Sequence, residues 1–335
     1  MEKIFCKSPT RVDLAGGTLD MWPLYNFVDG ATTINVAIDI WTTCEIVKRD
    51  DLLIKITSDD LKKTWQFDTI TDFFNSKEEA LVFYQSIFQA FQAQLYKMNK
   101  GFEIKTASQS PIGGGLGGSS SLVISVLKAL HQLLSIPLPS SVDLVHTAHN
   151  IEAKMLRTPT GTQDYFAAVT GGISFIDYSA HEMSQAVLEV SNTPIKDYFL
   201  LVYTGKAHHS GLNNFEVLKS SVQGEVKVLN ALKKIKVISE KMKLSIANKK
   251  WNELPQLFRE EYTARLELTP AFSSPEIEKL NKICTEAGAE AVKICGAGGG
   301  GCVLVWVAPD KRNSVLEACK KENFNCLPAQ PVDRM

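Results

Sequence analysis

Apolar and polar positions along this chain recur with two different periods, and the changes of period mark out its elements. Ala31 to Arg49 is rich in Thr, Ile and Val with partial alternation, and Leu52 to Thr57 and Thr64 to Phe67 repeat the pattern, which predicts an antiparallel β region near the start. From Lys77 to Tyr96 the residues Leu81, Tyr84, Ile87, Phe88, Phe91 and Leu95 return at helical spacing, and a short strand, Phe102 to Thr106, follows Gly101. Past a break at Pro111 and a run of glycines, Leu122, Val123, Val126, Leu127, Leu130, Leu133 and Leu134 form a helical stripe whose start Ser119, Ser120 and Ser121 are placed to cap. Pro137 and Pro139 end that helix. Val142 to Leu156 predicts the next one, before a loop from Thr158 to Thr162, and Phe166 to Tyr178 reads as a helix end, a turn at Gly171 and Gly172, and a strand.

The polar stretch from Ser179 to Pro194 then interrupts the pattern. A boundary there gives two expected domains, residues 1–180 and residues 181–335, each long enough to bury a core. The second half reads as a strand from Tyr198 to Tyr203, long lysine-rich helices from Asn213 onward, and a helix from Ser274 to Ala287. A glycine cluster from Gly296 to Gly301, a strand from Cys302 to Val307 and a helix near Asn313 to Lys321 complete it.

Charge narrows the function classes. The chain has 36 basic and 37 acidic residues and a formal net charge of -1, so no general field for nucleic acid or membrane is expected, and attraction for an anion must be local. The seven cysteines form no CxxC pair, which fits reduced thiols and no zinc site. Met1 to Thr10 has no apolar leader core, and the longest apolar stretch, Val303 to Ala308, is too short to span a bilayer. A soluble cytoplasmic enzyme is the expectation.

The segment Pro111-Ile-Gly-Gly-Gly-Leu-Gly-Gly-Ser-Ser-Ser121 carries the clearest chemistry. Its glycines let the backbone approach a ligand and adopt positive φ, and because a helix follows, loop amides and the helix macrodipole would both meet a bound phosphate. Gly113, Gly115 and Gly118 also fit GxGxxG, but a Ser-Pro break stands where a dinucleotide fold needs a strand, and Asp143 precedes a helix rather than ending a second strand. No lysine follows Gly118, which excludes a P-loop. The cluster Gly296-Ala-Gly-Gly-Gly-Gly301 precedes a strand, so a tight loop beside the first site is the sharper reading there.

The two glycine clusters and the opening Ser8-Pro-Thr-Arg-Val-Asp-Leu-Ala-Gly-Gly-Thr-Leu-Asp20 resemble, in order, the three signature motifs of the GHMP kinases, the superfamily of galactokinase, homoserine kinase, mevalonate kinase and phosphomevalonate kinase. The resemblance runs from about residue 5 to residue 307, with a fourth match at Gly161-Thr-Gln-Asp164. It implies an α+β chain of two domains, the first resembling ribosomal protein S5 domain 2 and the second ferredoxin-like, with the active site between them. It implies ATP and Mg2+ as cofactors, with the ATP phosphates on Pro111, Gly113, Gly114, Gly115, Leu116, Gly117, Gly118, Ser119 and Ser120. Ser119, or Ser120, and Glu152 would hold the metal through oxygen. Asp164 would be the catalytic base, with Arg11 beside it lowering its pKa and stabilising developing charge. Gly17, Thr18 and Asp20, with Gly298 and Gly299 of the second cluster, would meet the substrate.

Within that family, Gly16-Gly-Thr-Leu-Asp20 lacks the Gly-Glu-His-Thr-Asp of galactokinases and is similar to heptose 7-phosphate kinases and fucokinase domains, as are Gly161 to Asp164 and Tyr203-Thr-Gly205. The resemblance therefore implies phosphorylation of a sugar or sugar phosphate at its anomeric hydroxyl, with a mevalonate-type acceptor or a catalytically silent sensor on the same fold as alternatives. Lys206, His208 and His209 are candidates for an anionic substrate group, though a solvated loop is the commoner meaning of such residues. His146, His149 and Glu152 share a helical face, read as one magnesium-side acid and two packing histidines. Oligomeric state stays open, a homodimer included.

Overall fold

Strand β1 (Lys3–Ala15) and the 18-residue β2 (Ala31–Lys48) form an antiparallel pair that organises the first half of the molecule. The computed structural model describes residues 3–207, 210–296 and 298–335. On its edge opposite β1, β2 pairs through Ala31 to Val36 with β6 (Ile173–Tyr178) and through Thr42 to Lys48 with β5 (Phe102–Ser108). β3 (Ile54–Ser58) runs parallel to β5, and β4 (Lys63–Phe67) and β7 (Met183–Leu188) close the two ends of this seven-stranded sheet. A second, antiparallel sheet contains β8 (Phe199–Tyr203), β9 (Ala291–Ile294), β10 (Cys302–Trp306) and β11 (Asn325–Leu327) in the order β11-β8-β10-β9.

Around the first sheet lie α1 (Ile70–Asn75), α2 (Val82–Gln89), α3 (Gln92–Met98), α4 (Gly118–Leu133), α5 (Ser141–Leu156) and α6 (Gln163–Thr170). The second half adds α7 (Ile195–Tyr198), α8 (Ser210–Val222), α9 (Val226–Ala247), α10 (Leu254–Leu268), α11 (Pro275–Glu286) and α12 (Arg312–Lys321). α4 packs across β1 and β2 with Val123, Ile124, Val126, Leu127 and Leu130 fully buried, so the apolar stripe sets which way its first turn points. α5 begins at a capping pair, where Ser140 accepts from the Asp143 amide at 3.2 Å. The hairpin of α9 and α10 touches β1, β2 and β9, and so ties the two sheets together.

Three expectations change. The helix expected from Lys77 to Tyr96 breaks at Ala90 and Phe91, because Phe91 leaves helical geometry to bury its ring edge-on against His131, 5.1 Å between centroids. The polar stretch expected to separate two domains contains β7, an edge strand paired along its whole length with β6. Edge strands with one wet face read as polar sequence. The chain end also returns to the first sheet: Asp39, freed by a register shift between Pro9 and Thr10 of β1, donates its amide to the Gln330 carbonyl and accepts from the Gln330 amide on its side-chain Oδ1, and Val332 bonds Ala37 and Gly172.

Candidate active site

A cleft of about 550 Å³ lies where the two sheets meet, lined from the first half by the glycine segment and from the second by Asn214, Arg265 and Gly296. The segment takes positive φ at Gly113, Gly115 and Gly117, at 64°, 70° and 71°, a conformation that other residues adopt only with strain. α4 starts at the next residue, so its free amides face the loop. A groove of similar size between α9 and α10 is lined by Lys233, Lys234, Lys241, Arg259, Glu260 and Glu267 and holds none of the residues singled out above.

The second glycine cluster backs directly onto the first. Cys302 donates to the Gly114 carbonyl at 2.7 Å. A Cβ on Gly301 would lie 2.8 Å from the Gly114 oxygen, and one on Gly296 would lie 3.0 Å from the Gly115 oxygen. Glycine is needed there because backbone meets backbone. The expected tight loop beside the first site is what the structure contains.

Arg11, in the buried half of β1, gathers the loop and the candidate base. Its Nε donates to Asp164 Oδ1 at 2.7 Å, its Nη1 to the Gly115 carbonyl at 2.6 Å, and its backbone amide to the Leu116 carbonyl at 3.0 Å. Burial opposes the charge on Arg11, but Asp164 and Asp13 outweigh it and raise the guanidinium pKa. Asp164, in the first turn of α6, keeps 21% of its side chain exposed and lies against the loop, since a Cβ on Gly117 would come within 2.9 Å of its Oδ2. The acid therefore abuts the glycine segment from one side while facing the cleft on the other.

Glu152 of α5 is buried and borders the cleft, and its Oε2 accepts from Ser120 at 2.7 Å and from Tyr165 at 2.6 Å. Burial and the adjacent carboxylate hold the Tyr165 phenol well above its ordinary pKa, which keeps it a donor. Of the two serines proposed for a metal, Ser120 touches Glu152, whereas Ser119 is exposed at the cleft rim. The donors here are oxygens only, which fits Mg2+, an ion that takes one or two protein ligands and completes its shell with phosphate and water. Among the described residues no group of three His, Cys, Asp or Glu side chains is placed to hold a metal by itself.

Asp20, also in the cleft lining, is buried and accepts from the Gln163 amide at 3.1 Å. Burial pushes its carboxyl up to about 6, with Asp164 and Asp13 adding to the rise and the Gln163 bond opposing it. Thr18 also lines the cleft, at φ 80°. Gly17 does not: a Cβ there would meet Arg265 Nη2 at 1.9 Å, so it packs against the charges behind the cleft wall. Gly298 and Gly299, expected at the substrate, instead close on the turn at Ala271 and Phe272, where the Gly299 amide bonds the Phe272 carbonyl at 3.0 Å.

Arg265, which lines that wall, joins Asp13, Glu261 and Lys293 behind it in a cluster of four buried charges that the sequence reading missed. Arg265 bonds Asp13 Oδ2 and Glu261 Oε1, each at 2.8 Å, and its Nη1 holds the Gly296 carbonyl at 2.6 Å. Lys293 pairs with the same Asp13 oxygen at 3.0 Å and with Glu261 at 3.4 Å. Burial works to raise the Asp13 carboxyl, yet Lys293, Arg265 and Arg11 hold it below the usual carboxylate range. Asp13 follows Arg11 by two residues on one strand, so both share a face. The signal was present as Glu261 and Arg265 at helical i, i+4 spacing on a buried stripe.

The remaining candidates separate. His149 is packed, its Nε2 3.0 Å from the Thr160 carbonyl, but His146 is exposed, contrary to the packing expected of it. Lys206 lies 3.5 Å from Glu276, and His208 and His209 lie outside the described residues.

The cradle of glycine backbone, arginine-paired acid and oxygen donors belongs to a phosphotransferase. Residues 82–172 match the GHMP kinases N terminal domain and residues 242–326 the GHMP kinases C terminal domain, together more than half of the chain. This chain belongs to the GHMP kinases, kinases that use ATP to phosphorylate a hydroxyl group, and has their two-domain fold. It is 28% identical over 326 residues to a D-glycero-alpha-D-manno-heptose 7-phosphate kinase of Campylobacter jejuni, covering 96% of this chain and 94% of that protein. It is 27% identical over 363 residues to a galactokinase of Pyrococcus furiosus, with 96% and 94% covered. The structure of a D-glycero-D-manno-heptose 1-phosphate kinase from Bacteroides thetaiotaomicron superposes with a TM-score of 0.79 at 23% identity, over 98% of this chain and 96% of that one.

Proposed function

We propose that this kinase transfers the γ-phosphoryl group of ATP to the anomeric hydroxyl of a sugar or sugar phosphate, as in the heptose kinase branch. The observation that carries the reading is the seat of Asp164, paired with Arg11 and in contact with the phosphate-binding loop at Gly117. A hydroxyl bound between Asp164 and the γ-phosphate can lose its proton to the carboxylate as the new bond forms. Arg11 holds the acid in place and adds positive charge where negative charge develops. Ser120 and Glu152 would hold Mg2+, which supplies charge neutralisation on the phosphates when bound. Asp20 and Thr18 would receive sugar hydroxyls at the far wall.

Similarity to the heptose 7-phosphate kinase supports the sugar phosphate class, and departure from the galactokinase signature after Arg11 supports it further. Among the described residues no helix is long and apolar enough to cross a membrane, and all seven cysteines are free, consistent with the cytoplasmic location we propose. The test is ADP release with Mg2+ over a panel of sugars, heptose phosphates and mevalonate. Heptose phosphate at the highest kcat/KM supports the reading; mevalonate at the top replaces it; no turnover with any acceptor favours a silent sensor.

A further inference from the structure

We propose that the side-chain amide of Gln163 is a specificity-determining group that accepts a hydrogen bond from the substrate hydroxyl next to the one phosphorylated; this rests on reading the cleft as the acceptor site of a kinase. Gln163 opens α6 immediately before Asp164 and lines the cleft, yet is only 4% exposed. Its backbone is fixed on both sides, the amide donating to Asp20 Oδ2 at 3.1 Å and the carbonyl accepting from Asn35 Nδ2 at 3.1 Å. Its Oε1 is buried with no hydrogen-bond partner. A buried amide oxygen removed from water and left unpaired is destabilising, so such a group beside a reactive acid is best explained by a ligand that completes it.

The surroundings define the ligand's chemistry. Among the described residues lining the cleft the cations are Arg11 and Arg265, and both are already paired with carboxylates. Asp20 and Gln163 both line the cleft and bring carboxylate and amide oxygens to it, which suits a ligand rich in O–H donors rather than an anionic group at this point. Consecutive residues in a helical turn project about 100° apart, so Gln163 and Asp164 reach neighbouring hydroxyls of one polyol rather than the same one.

The test compares wild type with Gln163→Met, similar in length without the carbonyl, and Gln163→Glu, which keeps an acceptor. The acceptor is whichever member of the panel wild type turns over best, with its mono-deoxy analogues. Gln163→Met should raise the acceptor KM by about 10-fold or more while the ATP KM stays within about twofold. One deoxy analogue should lose about 10–100-fold in kcat/KM with wild type, but no further with Gln163→Met, and Gln163→Glu should recover part of the loss. Without ligand, Gln163→Met should unfold at the same or higher urea concentration than wild type, because it removes an unpaired buried group. A lower urea midpoint together with an unchanged acceptor KM would make the amide a structural group and overturn the inference. If wild type turns over no acceptor, the kinase reading falls, and the urea midpoint alone then decides whether Gln163 is held for a ligand.

Discussion

Replacing Arg265 by Met should destabilise the protein by about 3–5 kcal/mol, the usual consequence of removing one partner from a buried ion pair. Arg265 is 1% exposed and makes three charge-assisted hydrogen bonds, to Asp13, Glu261 and the Gly296 carbonyl. Wild type balances Arg265 and Lys293 against Asp13 and Glu261; the variant leaves one cation facing two carboxylates away from water. Asp13 Oδ1 already lacks a partner, so the carboxylate has no spare donor to turn to. Against a total stability of about 5–15 kcal/mol, that loss is large enough to read by urea unfolding at neutral pH.

The double variant Arg265→Met with Glu261→Leu separates charge imbalance from lost packing. Removing one charge of each sign should recover much of the loss, since buried pairs replaced by apolar groups are often neutral. The acid limb gives a further check. The folded-state pKa of Asp13 lies below its unfolded value, so its contribution is present above about pH 4 and is lost as pH falls through the depressed value. Arg265→Met should begin to lose stability at a higher pH than wild type. A stability within about 1 kcal/mol of wild type, with an unshifted acid limb, would refute the view that these charges support the fold.

Asp164→Asn should lower kcat by about 10²–10⁴-fold with ATP affinity retained, measured by ADP release and nucleotide titration. Tyr165→Phe removes a hydrogen bond to Glu152 at 2.6 Å and should raise the Mg2+ concentration for half-maximal activity by about 10–100-fold, because partners of a metal ligand tune its affinity. Asp20 titrates at about 6 in the folded protein, above its unfolded value, so its stabilising contribution is complete below about pH 4 and is lost as pH rises through 6. Asp20→Asn should therefore be more stable than wild type at pH 8, by about 3 kcal/mol, and the gap should close on titration to pH 4. Gly301→Ala should raise the ATP KM more than the acceptor KM, since its methyl would press on the Gly113 and Gly114 carbonyls at 2.9 and 2.8 Å.

Where sequence pattern followed packing, the fold was legible: the stripe of α4, the turn at Gly171, and the strands from Ala31 to Phe67 all appear near their expected places. β1 escaped because its buried half carries Thr10, Arg11 and Asp13, polar side chains where a strand pattern asks for apolar ones. β7 escaped for the opposite reason, as an edge strand with a wet face. At the site, motif order located Arg11, Glu152, Asp164 and the glycine loop, and the structure brings them to one cleft. Spacing alone could not say that Ser120 rather than Ser119 meets Glu152, or that Gly298 and Gly299 face the turn at Phe272. Those distinctions depend on helix phase and on contacts between residues far apart in the chain.

The same contacts explain why the glycine-rich loop needs both halves of the molecule. Its own residues supply amides and positive φ, but its carbonyls at Gly114, Gly115 and Leu116 are held by Cys302 from the second sheet and by Arg11 from the first. Arg11 is in turn placed by β1, whose Asp13 is locked to Arg265 and Lys293 across the junction, and Arg265 also fixes the Gly296 carbonyl behind Gly115. A loop built from glycine backbone has few side chains of its own to set its shape. Here that shape is imposed from behind by a glycine cluster that must be side-chain free and by a balanced charge cluster, so a change at Gly301 or Arg265 should alter the loop even though neither residue belongs to it.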